Sequence, residues 1–216
     1  MSTAVVHCVR HGQVDNPSGV IYGRLPGFGL TDLGHQMAQR LGVHFAAKNL
    51  VYLVSSPLQR AQETMAPIAA GHPELEVQLD ERVIETENHF EGINFGKHNE
   101  YLLRPSSLWQ LRNPLIPSWG EPYSSIVVRM NDAIKDAARH CPNAEAVIVS
   151  HELPIFVARR NAEGLSFLHD PRKRNTRLAS VTSFFFVSGQ LADIAYSEPA
   201  GDLVPVKKGR KFRAGS

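Results

Sequence analysis

Short runs of β-branched and other apolar residues alternate with helix-like patterns along the chain, and this alternation constrains the fold more than any other feature. Residues 5–9, 51–54 and 146–149 are apolar runs of strand length. Between the first two runs, apolar residues recur at every fourth position over 33–45, as in an amphipathic helix. Strands joined by helices lie side by side in one direction, because each helix returns the chain across a face of the sheet. The sequence therefore predicts an α/β fold, a three-layer sandwich with a mostly parallel central sheet and helices on both faces.

Capping residues predict where two of the helices begin. Thr31 directly precedes the pattern over 33–45 and can serve as its N-cap. Further along, Ser56 is placed as an N-cap, with Pro57 at the first helical position and Gln59 completing a capping box. We therefore expect one helix from Thr31 and a second from Ser56.

The C-terminal half of the chain predicts two more helices and a hairpin. Apolar residues spaced by three or four positions over 126–137 indicate an amphipathic helix. Pro154 suits the first turn of a helix that follows the strand at 146–149. Two β-rich runs, 181–187 and 191–196, flank a Ser-Gly-Gln turn and are typical of an antiparallel hairpin.

The chain shows neither an internal repeat nor a domain boundary, and we expect one domain over residues 1–206. Residues 86–122 are loop-rich and contain several large aromatic residues without periodicity, so we expect this insertion to form a cap over the sheet. Residues 207–216 are basic and polar, which predicts a mobile tail.

The charge balance argues against a bulk polyanion as partner. The chain has 23 Lys and Arg against 21 Asp and Glu, a formal net charge of +2, whereas nucleic-acid-binding domains are strongly basic. No segment approaches the length of a membrane span. Cys8 and Cys141 are the only cysteines, too far apart for a CxxC pair, which favours a reducing compartment. We therefore expect a cytoplasmic protein that binds neither nucleic acid nor membranes.

Polar residues follow three of the predicted strands, at positions where an apolar run does not need them. These segments are Arg10-His11-Gly12, Ser55-Ser56 and Ser150-His151. Because ligands of α/β sheets bind beyond the carboxyl ends of the strands, we expect the three segments to converge. Arg60, in the first turn of the second predicted helix, would reach the same edge. Two arginines and two histidines around one point are suited to binding a phosphate group.

Four motifs connect these residues to a known family. They are Val9-Arg10-His11-Gly12, Leu30-Thr31-Asp32-Leu33-Gly34, the run SSPLQRAQET over 55–64, and Val149-Ser150-His151. In this order and at these intervals they resemble the histidine phosphatase superfamily, which also contains the cofactor-dependent phosphoglycerate mutases. The resemblance extends from residue 5 to residue 160 and is far more specific than Arg-His-Gly alone.

The resemblance implies a nucleophilic His11 that takes the phosphoryl group, with Arg10, Arg60 and His151 holding the phosphoryl oxygens. Phosphoryl transfer spreads negative charge over these oxygens, and fixed positive charge stabilises it. Two guanidiniums and an imidazolium would supply that charge, so we expect neither a metal nor another cofactor. His11 has to attack as a neutral imidazole, a form that cationic neighbours favour. Gly12 would let the backbone pass close to the phosphate.

The family also protonates the leaving oxygen from a carboxylate that follows a strand, within a Leu-x-Glu-like element. Val83-Ile84-Glu85 matches this element best, and Glu87 and Glu91 are the alternatives. Asn16 is a candidate phosphate ligand, although the family's Asn stands one position later, where this chain has Pro17.

A second departure from the family follows the last motif. The residue after the second catalytic His is usually Gly, whereas this chain has Glu152. A carboxylate in the first turn of a helix interacts favourably with the helix dipole. We expect Glu152 to serve only the start of its helix.

A phosphomonoester hydrolase acting on a small molecule agrees best with the sequence. Phosphoglycerate mutase is the main alternative, although the chain lacks Trp-Asn after Arg-His-Gly and Asn-Glu-Arg before the acid, which closer mutases carry. A noncatalytic phospholigand or nucleic-acid binding protein is the second alternative, suggested by Arg172-Lys173-Arg174 and the basic tail. Serine hydrolases and P-loop enzymes are disfavoured, because neither Gly-x-Ser-x-Gly nor Gly-x4-Gly-Lys-Ser/Thr occurs.

Overall fold

The computed structural model describes residues 1–94, 120–168 and 174–204. The strands in this part of the chain are β1 (Thr3–Arg10), β2 (Leu50–Ser55), β3 (Val77–Leu79), β4 (Ala144–Ser150), β5 (Val181–Val187) and β6 (Gln190–Ser197). The helices are α1 (Asp32–Phe45), α2 (Gln59–Ala70), α3 (Tyr123–His140) and α4 (Glu152–Ala162), none of them long and apolar enough to cross a membrane. Most of the predicted cap, residues 95–119, and the predicted tail, 207–216, lie outside the described residues.

All six strands belong to one sheet, in the order β3-β2-β4-β1-β5-β6. β1 and β2 both pair in parallel with β4, and β3 extends this parallel block beyond β2. β5 is antiparallel to its neighbours β1 and β6. In the turn between β5 and β6, Ser188 and Gly189 have φ values of 51° and 77°, the positive values that a tight hairpin turn requires. The predicted mostly parallel sheet and the predicted hairpin are both confirmed.

Helices cover both faces of the sheet, as the sequence predicts. On one face, α1 and α2 pack against alternate residues of the central strands, including Val9 and Val147. On the other face, α3 and α4 pack against the residues between them, including Cys8 and Ile148. Because successive side chains of a strand point to opposite faces, strands buried on both faces are apolar at nearly every position. The exception in β1 is the buried His7, whose two ring nitrogens are both hydrogen-bonded. Burial on both faces explains the apolar runs from which the central strands were predicted.

The first predicted helix start is confirmed and the second is wrong. Thr31 caps α1, since its side-chain oxygen accepts a hydrogen bond from the Gly34 amide at 3.0 Å. α2 begins later than expected, at Gln59, and has no side-chain cap. Ser56 Oγ accepts a long bond from the Leu58 amide at 3.4 Å, but its shorter bond, 2.8 Å, is with the ring of His151, a residue 95 positions away. A tertiary partner therefore shares the hydroxyl that local sequence rules assign to the helix alone.

Two glycines allow the end of β1 and the start of α1 to touch through their backbones. A Cβ on Gly12 would lie 2.6 Å from the carbonyl oxygen of Gly34, and a Cβ on Gly34 would lie 2.1 Å from that of Gln13. Both obstacles are backbone atoms, so they can yield only if the helix moves away from the strand. The close approach holds α1 against the segment that carries Arg10 and His11.

We predict that Gly34→Ala lowers the free energy of unfolding by about 1–3 kcal/mol, because the added methyl group overpacks this contact. Gly71→Ala is the matched control, since a Cβ at Gly71 would meet its nearest atom, the carbonyl oxygen of Ile68, at 3.4 Å. Urea denaturation of the two variants and the unmodified protein measures the difference. Equal stability of all three proteins would contradict the prediction.

Candidate active site

The ends of β1, β2 and β4 lie side by side, so the three polar segments meet at one edge of the sheet. The His11 amide donates to the carbonyl oxygen of Ser150 at 3.2 Å, and the Ser56 amide donates to that of Val149 at 2.9 Å. The rings of His11 and His151 have centroids 5.2 Å apart. Four of the predicted site residues are almost fully buried: Arg10, His11, Arg60 and His151.

Hydrogen bonding assigns the proton of the His11 ring. Nδ1 lies 2.8 Å from the carbonyl oxygen of Gly12. A carbonyl can only accept, so Nδ1 carries the hydrogen and Nε2 keeps a free lone pair. Burial lowers the pKa of His11 well below its usual value, and the nearby Arg60 and Arg10 guanidiniums lower it further. The ring is therefore neutral at physiological pH, with Nε2 available as a nucleophile.

His151, the N-cap residue of α4, is held by the hydroxyl of Ser56. Its Nε2 lies 2.8 Å from Ser56 Oγ, while Nδ1 is buried and has no hydrogen-bond partner among the described residues. Burial lowers the pKa of His151 well below its usual value, and Arg60 and His11 add to the effect. His151 is thus neutral in the free protein, and not the imidazolium that was expected. A buried ring nitrogen without a partner is suited to a ligand's oxygen.

Arg60 is a buried cation in the first turn of α2, with a side chain only 1% exposed. Its Nη2 donates to the carbonyl oxygen of Gly23 at 2.7 Å, and its Cζ lies 4.7 Å from the centroid of the Tyr22 ring. Among the described residues, no carboxylate lies within ion-pairing distance of Arg60, and its Nε has no hydrogen-bond partner. Burial lowers the pKa of Arg60. A buried guanidinium without a counter-ion is costly, which favours an anionic ligand at this position.

Arg10, the last residue of β1, is held by a backbone oxygen and a carboxylate. Its Nη1 donates to the carbonyl oxygen of Thr176 at 2.6 Å and lies 2.9 Å from Glu152 Oε2. The same Glu152 carboxylate also lies 3.6 Å from Arg174 Nη1. The expectation that Glu152 serves only its own helix is therefore wrong. It orients Arg10, a role that the position after His151 does not reveal in the sequence.

Glu85 is the candidate acid whose electrostatic surroundings include both buried arginines. It follows a 3-10 turn at Glu81–Val83, and its Oε1 accepts a hydrogen bond from the Thr86 amide at 2.9 Å. Burial raises the pKa of Glu85 and outweighs the opposing effects of the Thr86 amide and the Arg60 guanidinium, while Glu152 raises it further. A carboxyl group with a raised pKa keeps its proton to higher pH, as a general acid must.

The two alternative acids lie in different surroundings. The Glu87 side chain is 65% exposed and lies 3.0 Å from Arg24 Nη1. Glu91 Oε1 accepts a hydrogen bond from the Arg24 backbone amide at 2.8 Å. The Glu87 carboxylate therefore lies mostly in solvent, and the Glu91 carboxylate is held by the backbone of the loop before α1. The geometry therefore favours Glu85 among the three candidates.

Asn16 and Gly12 make local contacts. The Asn16 side chain donates to the carbonyl oxygen of Val20 at 2.8 Å and accepts from the Val20 amide at 3.2 Å, which closes a loop. Phosphate binding by Asn16 stays a prediction. The Gly12 amide donates to Thr64 Oγ1 at 3.1 Å, and the close approach at Gly12 is to Gly34. Contact between Gly12 and a phosphate likewise stays a prediction.

The sequence model of the histidine phosphatase superfamily (branch 1) matches residues 6–193. The chain belongs to the histidine phosphatase superfamily. The matched region contains all of the site residues described above, from Arg10 to Glu152. The resemblance inferred from four motifs is therefore confirmed over nearly the whole chain.

Similar proteins include both phosphatases and mutases. The uncharacterized protein Rv0525 of Mycobacterium tuberculosis (strain H37Rv) is 47% identical over 195 residues, which cover 90% of this chain and 96% of that protein. The mycobacterial glucosyl-3-phosphoglycerate phosphatase Rv2419c has a TM-score of 0.69 at 22% identity, covering 85% of this chain and 90% of its own. Phosphoglycerate mutase from Bacillus anthracis str. Sterne has a TM-score of 0.66 at 20% identity, covering 88% and 91%. The fold is thus the one that these enzymes share, and this histidine phosphatase is an enzyme of that class.

Proposed function

We propose that this histidine phosphatase hydrolyses small phosphomonoesters through a phosphohistidine on His11. The main support is the hydrogen bond from His11 Nδ1 to the Gly12 carbonyl oxygen, 2.8 Å away, in a pocket that contains two buried arginines. This arrangement leaves a neutral nucleophile beside two cations, which is what attack on an anionic phosphoryl group requires.

In the first step, His11 Nε2 attacks phosphorus and the bond from phosphorus to the leaving oxygen breaks. Glu85 donates its proton to that oxygen, so an alcohol leaves and Glu85 becomes a carboxylate. Arg10 and Arg60 bind the phosphoryl oxygens and balance their charge. With the Ser56 hydroxyl donating to His151 Nε2, the hydrogen of His151 lies on Nδ1 and binds a third oxygen without charging the ring.

In the second step, water attacks the phosphohistidine and the bond from phosphorus to Nε2 breaks. Glu85 takes a proton from this water, which restores its protonated form, and inorganic phosphate leaves. The positive charge comes from two arginines, so we propose that the reaction is independent of metal ions.

Hydrolysis is favoured over intermolecular transfer by the charges around the neighbouring cavity. A cavity of about 440 Å³ is lined by the loop 24–28 and by residues 57–60, 62 and 63, with Arg60 among them. Arg24, the other arginine lining it, is paired with the carboxylates of Glu87 at 3.0 Å and Glu121 at 3.4 Å. A mutase has to retain a phosphorylated acid while it is rephosphorylated, which needs cations free to bind it. In the part of the chain that the structure describes, this cavity offers none beyond Arg60.

The test supplies 3-phosphoglycerate and catalytic bisphosphoglycerate and compares the amounts of inorganic phosphate and isomerised product. The measurement is made with and without EDTA. We expect inorganic phosphate to exceed isomerised product by a large factor, because water competes successfully for the phosphoenzyme. A panel of phosphate esters of uncharged alcohols is then compared with glucosyl-3-phosphoglycerate, the substrate named for the mycobacterial phosphatase. The comparison ranks the leaving groups. Isomerisation that outruns phosphate release would make the protein a mutase, and loss of activity with EDTA would contradict metal independence.

We also propose that the enzyme works in a reducing compartment such as the cytoplasm. Both cysteines, Cys8 and Cys141, are buried and free.

A further inference from the structure

Two arginines hold the backbone of the segment that carries Glu85. Arg129 Nη1, from α3, donates to the carbonyl oxygens of Arg82 at 2.7 Å and Ile84 at 2.8 Å. Arg24 Nε, from the loop before α1, donates to the carbonyl oxygen of Glu85 itself at 2.7 Å. Three carbonyls within four residues are therefore fixed by side chains from elsewhere in the fold.

One carboxylate joins the two arginines. Glu121 receives a bidentate pair of bonds from Arg129, Nε to Oε1 at 2.7 Å and Nη2 to Oε2 at 2.9 Å. Its Oε2 also lies 3.4 Å from Arg24 Nη2. The Arg129 and Glu121 side chains are only 14% and 12% exposed. Bidentate pairs between Arg and a carboxylate fix orientation as well as charge, and removing one partner of a buried pair leaves an uncompensated ion.

The backbone around Glu121 is tied to the same segment. Gly120 forms an antiparallel bridge with Asn88, and the Glu121 amide donates to the carbonyl oxygen of Glu87 at 3.3 Å. A Cβ on Gly120 would lie 2.2 Å from that same Glu87 oxygen, so only glycine permits this approach. The backbone of Glu121 is thus held beside the segment that carries Glu85.

We propose that Glu121, acting through Arg24 and Arg129, is a positioning residue that fixes the Glu85 carboxyl group relative to the leaving oxygen. This inference rests on the proposed function, in which Glu85 is the proton donor. Proton transfer requires the two heavy atoms to approach within hydrogen-bond distance. Glu85 lies in an irregular segment, so neither a helix nor a strand sets its position, and the three held carbonyls do so instead.

Glu87 provides a matched control on the same arginine. Its carboxylate pairs with Arg24 Nη1 at 3.0 Å, but its side chain is 65% exposed. Exposed ion pairs contribute little because water and salt screen them. Glu87→Gln therefore removes a charge from Arg24 without removing the buried link to Arg129.

The experiment compares Glu121→Gln, Glu87→Gln and Glu85→Gln on two substrates, 4-nitrophenyl phosphate and glycerol phosphate. For Glu121→Gln we expect kcat/KM on glycerol phosphate to fall roughly 10-fold to 100-fold more than on 4-nitrophenyl phosphate, as a small misplacement of a catalytic group produces. The loss should appear in kcat rather than in KM. Glu87→Gln should change the ratio of the two kcat/KM values by less than about twofold.

The outcomes separate this inference from the proposed function. If Glu85→Gln discriminates between the substrates and Glu121→Gln does not, Glu121 is not a positioning residue. If Glu85→Gln itself fails to discriminate, the proposed acid is wrong. Equal loss on both substrates with a lowered Tm in Glu121→Gln would mean a purely structural role and overturn the inference. Should Glu121→Gln fail to fold, Arg129→Lys takes its place, since lysine keeps the charge but cannot bind two carbonyls and a carboxylate together.

Discussion

Replacing His11 with Ala is expected to lower phosphatase turnover by on the order of 10⁴-fold or more, as when a covalent nucleophile is removed. The variant loses the Nε2 lone pair that attacks phosphorus, while both arginines stay in place to bind substrate. His35→Ala is the control, because His35 lies exposed on α1. Substrate affinity, measured by inhibition with inorganic phosphate, should change far less than turnover.

The phosphohistidine can also be detected directly, by comparing labelled protein from the unmodified enzyme and from His11→Ala. A rapid quench in alkaline detergent with labelled substrate should trap label on the unmodified enzyme that is stable to base and lost in acid, as expected of a phosphohistidine. His11→Ala should trap none. Near-normal turnover of His11→Ala, or label retained on it, would rule out His11 as the nucleophile.

Glu85→Gln is expected to produce the second largest effect, and only on substrates with poor leaving groups. An alkoxide leaves slowly unless it is protonated, so kcat/KM on glycerol phosphate should fall about 10²-fold to 10⁴-fold. An aryl oxide needs little protonation, so kcat/KM on 4-nitrophenyl phosphate, which reports only the first step, should stay close to normal. An equal loss of kcat/KM on both substrates would move the acid to another residue.

The pH profile supplies an independent test of Glu85. The protonated form is the active one, so activity on alkyl phosphates is lost as pH rises through the pKa of Glu85. Burial raises that pKa, which moves the loss to higher pH than an ordinary glutamate would give. Glu85→Gln should abolish this alkaline limb and Glu87→Gln should preserve it. A limb that persists in Glu85→Gln belongs to a different group.

Much of the fold follows from the sequence because its signals are local. Apolar runs buried on both faces mark the central strands, four-residue spacing marks α1, and Thr31 caps that helix as its position predicts. The meeting of His11 and His151 also follows from the sequence, since parallel strands bring their carboxyl ends to one edge of a sheet.

The tertiary structure alone decided which polar groups meet within that edge. Ser56 satisfies the rule for an N-cap yet bonds to His151, and Glu152 satisfies the rule for a first helical turn yet pairs with Arg10. Glu121 reaches both Arg24 and Arg129 from the far end of an insertion without periodicity. A side chain's partner depends on packing between segments that are far apart in the chain. The local spacing of residues predicts helices and strands, but it does not say which distant segments will pack against each other.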